Sequence, residues 1–451
     1  MWWWNQNSFL NLLLVSDKIP YAMKNIRIRL IAMNFLQFAV WGAYLTSMGT
    51  YLARVGMAEK IGLFYAMQGI VSLFMPALQG IVADRWIPAQ RLLGMSHFLA
   101  ALFMAGAGFY GMNAGDQVAF PLLFTLYSLS VAFYMPTLAL SNSVAYNALD
   151  RAGLDAVKAF PPIRIFGTIG FICSMWLVDL CGLQQNYGQF FVCAAWGILL
   201  AVYANTLPAC PVSKASSEKK SLVESLGLKA FALFKQRKMA LFFIFSMLLG
   251  VSLQITNGFA NPFITGFGEI PEYADAFGTQ HANLLISLSQ ISETLCILLI
   301  PFCLTRFGIK RVMLIAMFAW VLRFGLFGLG NPGSGVWMFV LSMIVYGVAF
   351  DFFNISGSLF VDNETDLSTR SSAQGLFVVM TNGIGATVGT LGAQWVVNRL
   401  GCMDSALDVA ARMEGWRSAW FVFAAYALVV AVLFMILFRY RQTMNDNTIK
   451  A

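Results

Sequence analysis

The chain has 451 residues, of which 59% are hydrophobic, 15% aromatic and only 11% charged. Soluble domains carry about 25% charged residues, which excludes a water-soluble globular protein. The formal net charge of +8 reads as a membrane-topology signal, and no nucleic acid partner need be invoked.

Residues 1–22, MWWWNQNSFLNLLLVSDKIPYA, hold a short apolar run without a basic n-region and make a poor signal peptide. They are expected to be a peripheral extension. Met23–Arg29, MKNIRIR, looks like a natural start, with Lys24, Arg27 and Arg29 anchoring the first span. Twelve apolar windows then recur, each close to the ~20 residues that cross a bilayer. They cover 30–53, 61–83, 92–113, 118–147, 163–182, 188–208, 239–265, 283–305, 311–330, 336–361, 374–397 and 418–438. Spans of this kind, without alternating ten-residue segments, exclude an outer-membrane barrel. The expected class is an all-α polytopic membrane protein.

The basic residues set its orientation. Of the 29 Lys and Arg, only Arg54, Lys60, Arg399, Arg412 and Arg417 fall outside when both termini are cytoplasmic. Arg164 and Arg323 lie within spans, and the rest fall on the cytoplasmic side. Residues 209–238 form a basic, partly amphipathic linker expected along the membrane surface. It separates an N-terminal six-helix bundle, 23–208, from a C-terminal one, 239–440, before a tail at 441–451. The halves echo one another: Val131-Ala132-Phe133 recurs as Val348-Ala349-Phe350, with Ser141 matching Ser358 and Val144 matching Val361 at the same offset. Duplicated six-helix halves with a midplane binding site are the major facilitator arrangement. The basic loop Arg306–Arg311 fits that superfamily well, and Asp84-Arg85 fits it in part.

Charges inside apolar segments mark the candidate site, because an intramembrane carboxylate costs at least ~2.5 kcal/mol unless it faces protein or a watery cavity. In span 5, Arg164, Thr168 and Phe171 share a helix face at i, i+4 and i+7; an interfacial snorkelling arginine is the alternative. Span 7 carries Gln254 and Asn257, with Asn261 a turn on, either ligands or interhelical glue. Span 8 places Gln290 and Glu293 on one face, extended by Ser287. Glu293 is either a ligand or half of a structural pair with Arg164 or Arg323. Span 10 contributes Tyr346, Phe350 and Asp351, followed by Asn354, Ser356 and Ser358. Arg323, beside Phe324, reads as structural or snorkelling. Seven scattered cysteines and the isolated His97 and His281 give no metal or disulfide framework. No phosphate loop, HExxH or GxSxG is present, so neither ATP hydrolysis nor membrane-embedded catalysis is expected, and no cofactor.

The stretches PPIRIFGTIGF, LQITNGFAN, LSQISET and VYGVAFDFFNISGS resemble the bacterial nucleoside permeases of the nucleoside–proton symporter family, within the major facilitator superfamily. The resemblance runs from about Met23 to about Tyr440. It implies proton-driven nucleoside uptake through the inner membrane. The chain is expected to work as a monomer. The resemblance also implies a nucleoside site lined by Arg164, Thr168, Phe171, Gln254, Asn257, Gln290, Glu293, Tyr346, Phe350 and Asp351. Gly258 and Pro262 look like departures from the family, and Pro262 is expected to bend span 7. Asp351 and Glu293 are the proton-coupling candidates, with Asp351 favoured. The polar residues alone suit a sugar symporter almost as well, and a non-transporting membrane sensor is the remaining alternative.

Overall fold

The computed structural model describes residues 25–210 and 228–440. The extension at 1–22 and the tail at 441–451 lie outside these, as does much of the linker. Among the described residues the chain is helical, with no strand. A bilayer offers no partner to a bare amide, so every span must bond its backbone internally.

The helices are α1 Ile26–Gly42, α2 Met48–Arg54, α3 Ile61–Arg85, α4 Ala89–Ala114, α5 Phe120–Tyr134, α6 Thr137–Arg151, α7 Ala156–Leu180 and α8 Gly188–Ala204. After the linker come α9 Arg237–Leu253, α10 Ile255–Gly266, α11 Ala282–Ile297, α12 Ile300–Phe307, α13 Ile309–Leu329, α14 Val336–Glu364, α15 Leu367–Val378, α16 Ala386–Arg399 and α17 Val409–Leu437. A π-helix, Val379–Gly385, joins α15 to α16. Among the described residues nine helices are long and apolar enough to cross a membrane, and the pair α11 and α12, bent by 56°, brings the number to ten when counted as one span. That bend falls where Pro301, in the first turn of α12, withholds an amide. The first expected span is broken at residues 43–47, and the sixth is a 17-residue helix.

The chain forms two compact units. Among the described residues, one comprises 25–45 and 74–210, the other 46–73 and 228–440. In the first, α1 packs on α7 and α8, and α4 on α5 and α8. Gly42 and Gly170 permit the α1–α7 contact: a Cβ on Gly42 would collide with the Phe171 carbonyl, and one on Gly170 with that of Phe35. In the second unit α14 lies between α13 and α11, and α13 also packs on α17. There α2 rests on α10, where a Cβ on Gly49 would strike the Gly258 carbonyl. Pro262, four residues on, supplies no amide to that carbonyl, which leaves it open to the glycine backbone. Span 7 nevertheless breaks at Gln254, between α9 and α10, and Pro262 sits inside α10.

Candidate functional site

In the first unit, α7 carries Arg164 and Thr168, both half-buried, and the buried Phe171. The Arg164 guanidinium lies 3.9 Å from the centroid of the Phe38 ring on α1. A cation on a ring face gains about 0.5–1 kcal/mol when exposed and ~2 or more when desolvated. Trp41, one turn on from Phe38, meets Phe171 edge-on at 6.2 Å and Tyr134 at 6.3 Å. The neighbouring Gln37 is pinned from three sides. Its Nε2 donates to Thr137 Oγ1 at 2.8 Å, His97 Nε2 lies 2.8 Å from its Oε1, and the Tyr134 hydroxyl donates to its carbonyl at 2.9 Å. Buried polar groups need such partners, and these hold α1 in the register that sets Phe38 over Arg164.

In the second unit, Asn257 Nδ2 donates to Gln254 Oε1 at 2.8 Å. A pair of side-chain amides thus marks the helix break. No hydrogen bond or ring contact joins this pair to the remaining candidates among the described residues.

Those candidates form one cluster. Tyr346 and Phe350 stack at 5.5 Å with an interplanar angle of 15°, as their i, i+4 spacing on α14 allows. Gln290, Glu293 and Asp351 lie in the neighbourhood of the Tyr346 hydroxyl. Glu293 is half-buried, whereas Asp351 is only 6% exposed. Close approach of α11 and α14 brings these groups together: Ser292 donates to the Ile344 carbonyl, and a Cβ on Gly347 would meet the Ser292 backbone. The result is an aromatic platform edged by an amide and two carboxylates.

Ser287 turns its hydroxyl back onto the Leu284 carbonyl of its own helix at 2.7 Å. Other polar residues of these spans hold helices together. Asn261 donates to Asn283 Oδ1 at 2.8 Å and accepts from Thr50. Ser358 and Gln374 exchange two hydrogen bonds between α14 and α15.

Arg323 does not snorkel. It is 2% exposed, and its Nη1 donates to the Ser342 carbonyl on α14 at 2.8 Å. Its guanidinium carbon lies 4.5 Å from the Tyr346 ring centroid. Phe38 and Trp41 are thus the neighbours that sequence reasoning passed over, and Arg323 the one it noticed without assigning it to the site. Their signal was an aromatic pair at i, i+3 in the first span, and a cation amid aromatics in the ninth. Among the described residues no group of three or more His, Cys, Asp and Glu could hold a metal ion.

The family model described as nucleoside H+ symporter matches residues 23–443. The chain belongs to that family. Among curated symporter relatives, the xanthosine permease of Escherichia coli K12 is 46% identical over 92% of this chain and 96% of its own length. The nucleoside permease NupG of the same organism is 46% identical over 92% and 97%. A crystal structure of the nucleoside transporter NupG superposes with a TM-score of 0.82 at 44% identity, covering 92% of this chain and all of that one. This symporter therefore has the major facilitator fold. A structure from the proton-dependent oligopeptide transporters, at 13% identity and a TM-score of 0.68, shares that fold alone.

Proposed function

We propose that this symporter imports nucleosides across the bacterial inner membrane together with protons, by alternating access. Both termini lie in the cytoplasm, and the monomer is the working unit. The observation that carries the reading is the Tyr346–Phe350 stack beside Gln290, Glu293 and Asp351. A nucleobase is a flat ring with hydrogen-bonding edges, and aromatic faces of this size favour stacking it. Ribose hydroxyls suit carboxylate and amide acceptors, here Glu293, Gln254 and Asn257. Within the first unit, α7 offers a cation, a hydroxyl and a ring at Arg164, Thr168 and Phe171. A sugar satisfies the polar groups but leaves the aromatic pair without a flat partner.

Proton coupling follows from burial. A carboxylate in an apolar setting exists in two states of very different cost, so gain or loss of its proton biases one conformation over another. We assign the coupling proton to Asp351 and substrate contact mainly to Glu293. The test is uptake of radiolabelled uridine into cells deficient in nucleoside transport, with and without a protonophore. Saturable uptake that collapses with the protonophore and is competed by other nucleosides is expected. Uptake competed by sugars instead, or none at all by protein that has reached the membrane, overturns the reading.

A further inference from the structure

Arg323 is a buried cation to which neither the family resemblance nor the proposed transport cycle assigns a task. It projects from α13 into the seam with α14 and α11. Nη1 donates to the Ser342 carbonyl at 2.8 Å and lies 3.4 Å from Ser289 Oγ on α11. Ser342 Oγ donates back to the Arg323 carbonyl at 3.0 Å, so the α13–α14 contact is a reciprocal clamp. Three aromatic faces surround the guanidinium carbon: Tyr346 at 4.5 Å, Phe327 at 5.5 Å and Trp320 at 6.0 Å. Trp320 in turn meets Tyr346 edge-on at 5.9 Å. Among the described residues no carboxylate lies within ion-pair distance of Arg323. A charge so desolvated is costly unless its hydrogen bonds and ring contacts compensate, and mere packing of α13 on α14 is met by an apolar side chain at no such cost.

We propose that Arg323 is a positioning residue for the nucleoside site, acting through Tyr346. The cation on the ring face and the clamp one turn earlier at Ser342 fix the orientation of Tyr346. That in turn sets the stack with Phe350. The proposal rests on the nucleoside reading of the Tyr346 cluster.

The experiment compares uridine uptake and equilibrium uridine binding for Arg323→Lys, Arg323→Gln and Arg323→Met, each normalised to protein in the membrane. Lysine keeps the cation, glutamine keeps a donor for the Ser342 carbonyl without the charge, and methionine keeps only bulk. Loss of the ring contact is expected to raise apparent KM and Kd at least about fivefold in Gln and Met, with maximal rate per molecule much less affected. Lys should recover most of the affinity. In a Tyr346→Leu background the same Arg323 substitutions should change affinity little, because the ring through which they act is gone. Unchanged KM and Kd in whichever of the Gln and Met variants accumulates overturns the proposal, as does full additivity with Tyr346→Leu. A wild-type protein that binds no nucleoside instead overturns the functional reading itself, so the two failures are distinguishable.

Discussion

Asn261 donates from Nδ2 to Asn283 Oδ1 at 2.8 Å, and that same oxygen accepts from Thr46 Oγ1 at 2.9 Å. Both amides are fully buried, and both serve to hold α10, α11 and the start of α2 in one body. Asn261→Ala should therefore act on stability. It strips partners from Thr50 and Asn283, at about 1–3 kcal/mol for unmet buried groups, less whatever membrane helices recover by finding new ones. Purified protein should melt earlier while its uridine Kd stays at the wild-type value. A normal melting point with weakened binding would move Asn261 into the site.

Gln290→Ala makes the opposite case. Gln290 is half-buried and lies near Tyr346 at the α11–α14 seam. Its loss should weaken uridine binding roughly tenfold, the equivalent of ~1.4 kcal/mol. Melting without ligand should stay close to wild type, and the thermal shift on adding uridine should shrink. Early melting with normal uridine affinity would make this side chain structural.

The spans were legible because apolar windows of bilayer length are hard to disguise, and Glu293 and Asp351 because a charge in such a window is conspicuous. Phe38 and Trp41 were not: each is one aromatic among many, and only the α1–α7 approach at Gly42 and Gly170 turns them toward Arg164 and Phe171. Arg323 stayed open between a structural and a snorkelling role because spacing gives no depth. A snorkelling arginine and a buried one have the same neighbours in sequence, and only the α13–α14 contact tells them apart. Pro262 drew attention in span 7, whereas the break at Gln254, where an amide pair marks the join between α9 and α10, did not.

Asp351→Asn should separate coupling from transport. The amide has nearly the shape of a protonated carboxyl group but no proton to release at neutral pH. Vesicles with this variant should exchange labelled for unlabelled uridine yet fail to accumulate it under an imposed proton gradient. Intact accumulation would assign the coupling proton elsewhere, with Glu293 the next residue to test.

Cysteine reactivity offers a check on the fold that needs no substrate. Cys402, in the turn after α16, is 1% exposed, and burial pushes its thiol up to about 12. At pH 7.5 almost none of it is thiolate, the reactive form. Cys181, in the turn after α7, is exposed. In detergent solution a maleimide should therefore label Cys181 well before Cys402, read by mass spectrometry of the digested protein. Equal labelling rates would contradict the packing of the α16–α17 turn.

The assignment of residues 46–73 to the second unit bears on the order of events during synthesis. Thr50 must wait for Asn261, 211 residues later, and the Gly62 amide for Gln394, 332 residues later. At ~5–20 residues per second the first of these delays is on the order of 10–40 s. For that time the early segment lacks its native partners, and the Thr50 hydroxyl and the Gly62 amide must be satisfied by other groups. A nascent chain stalled between residues 220 and 250 would contain every described residue of the first unit, yet would still expose α2 and the start of α3.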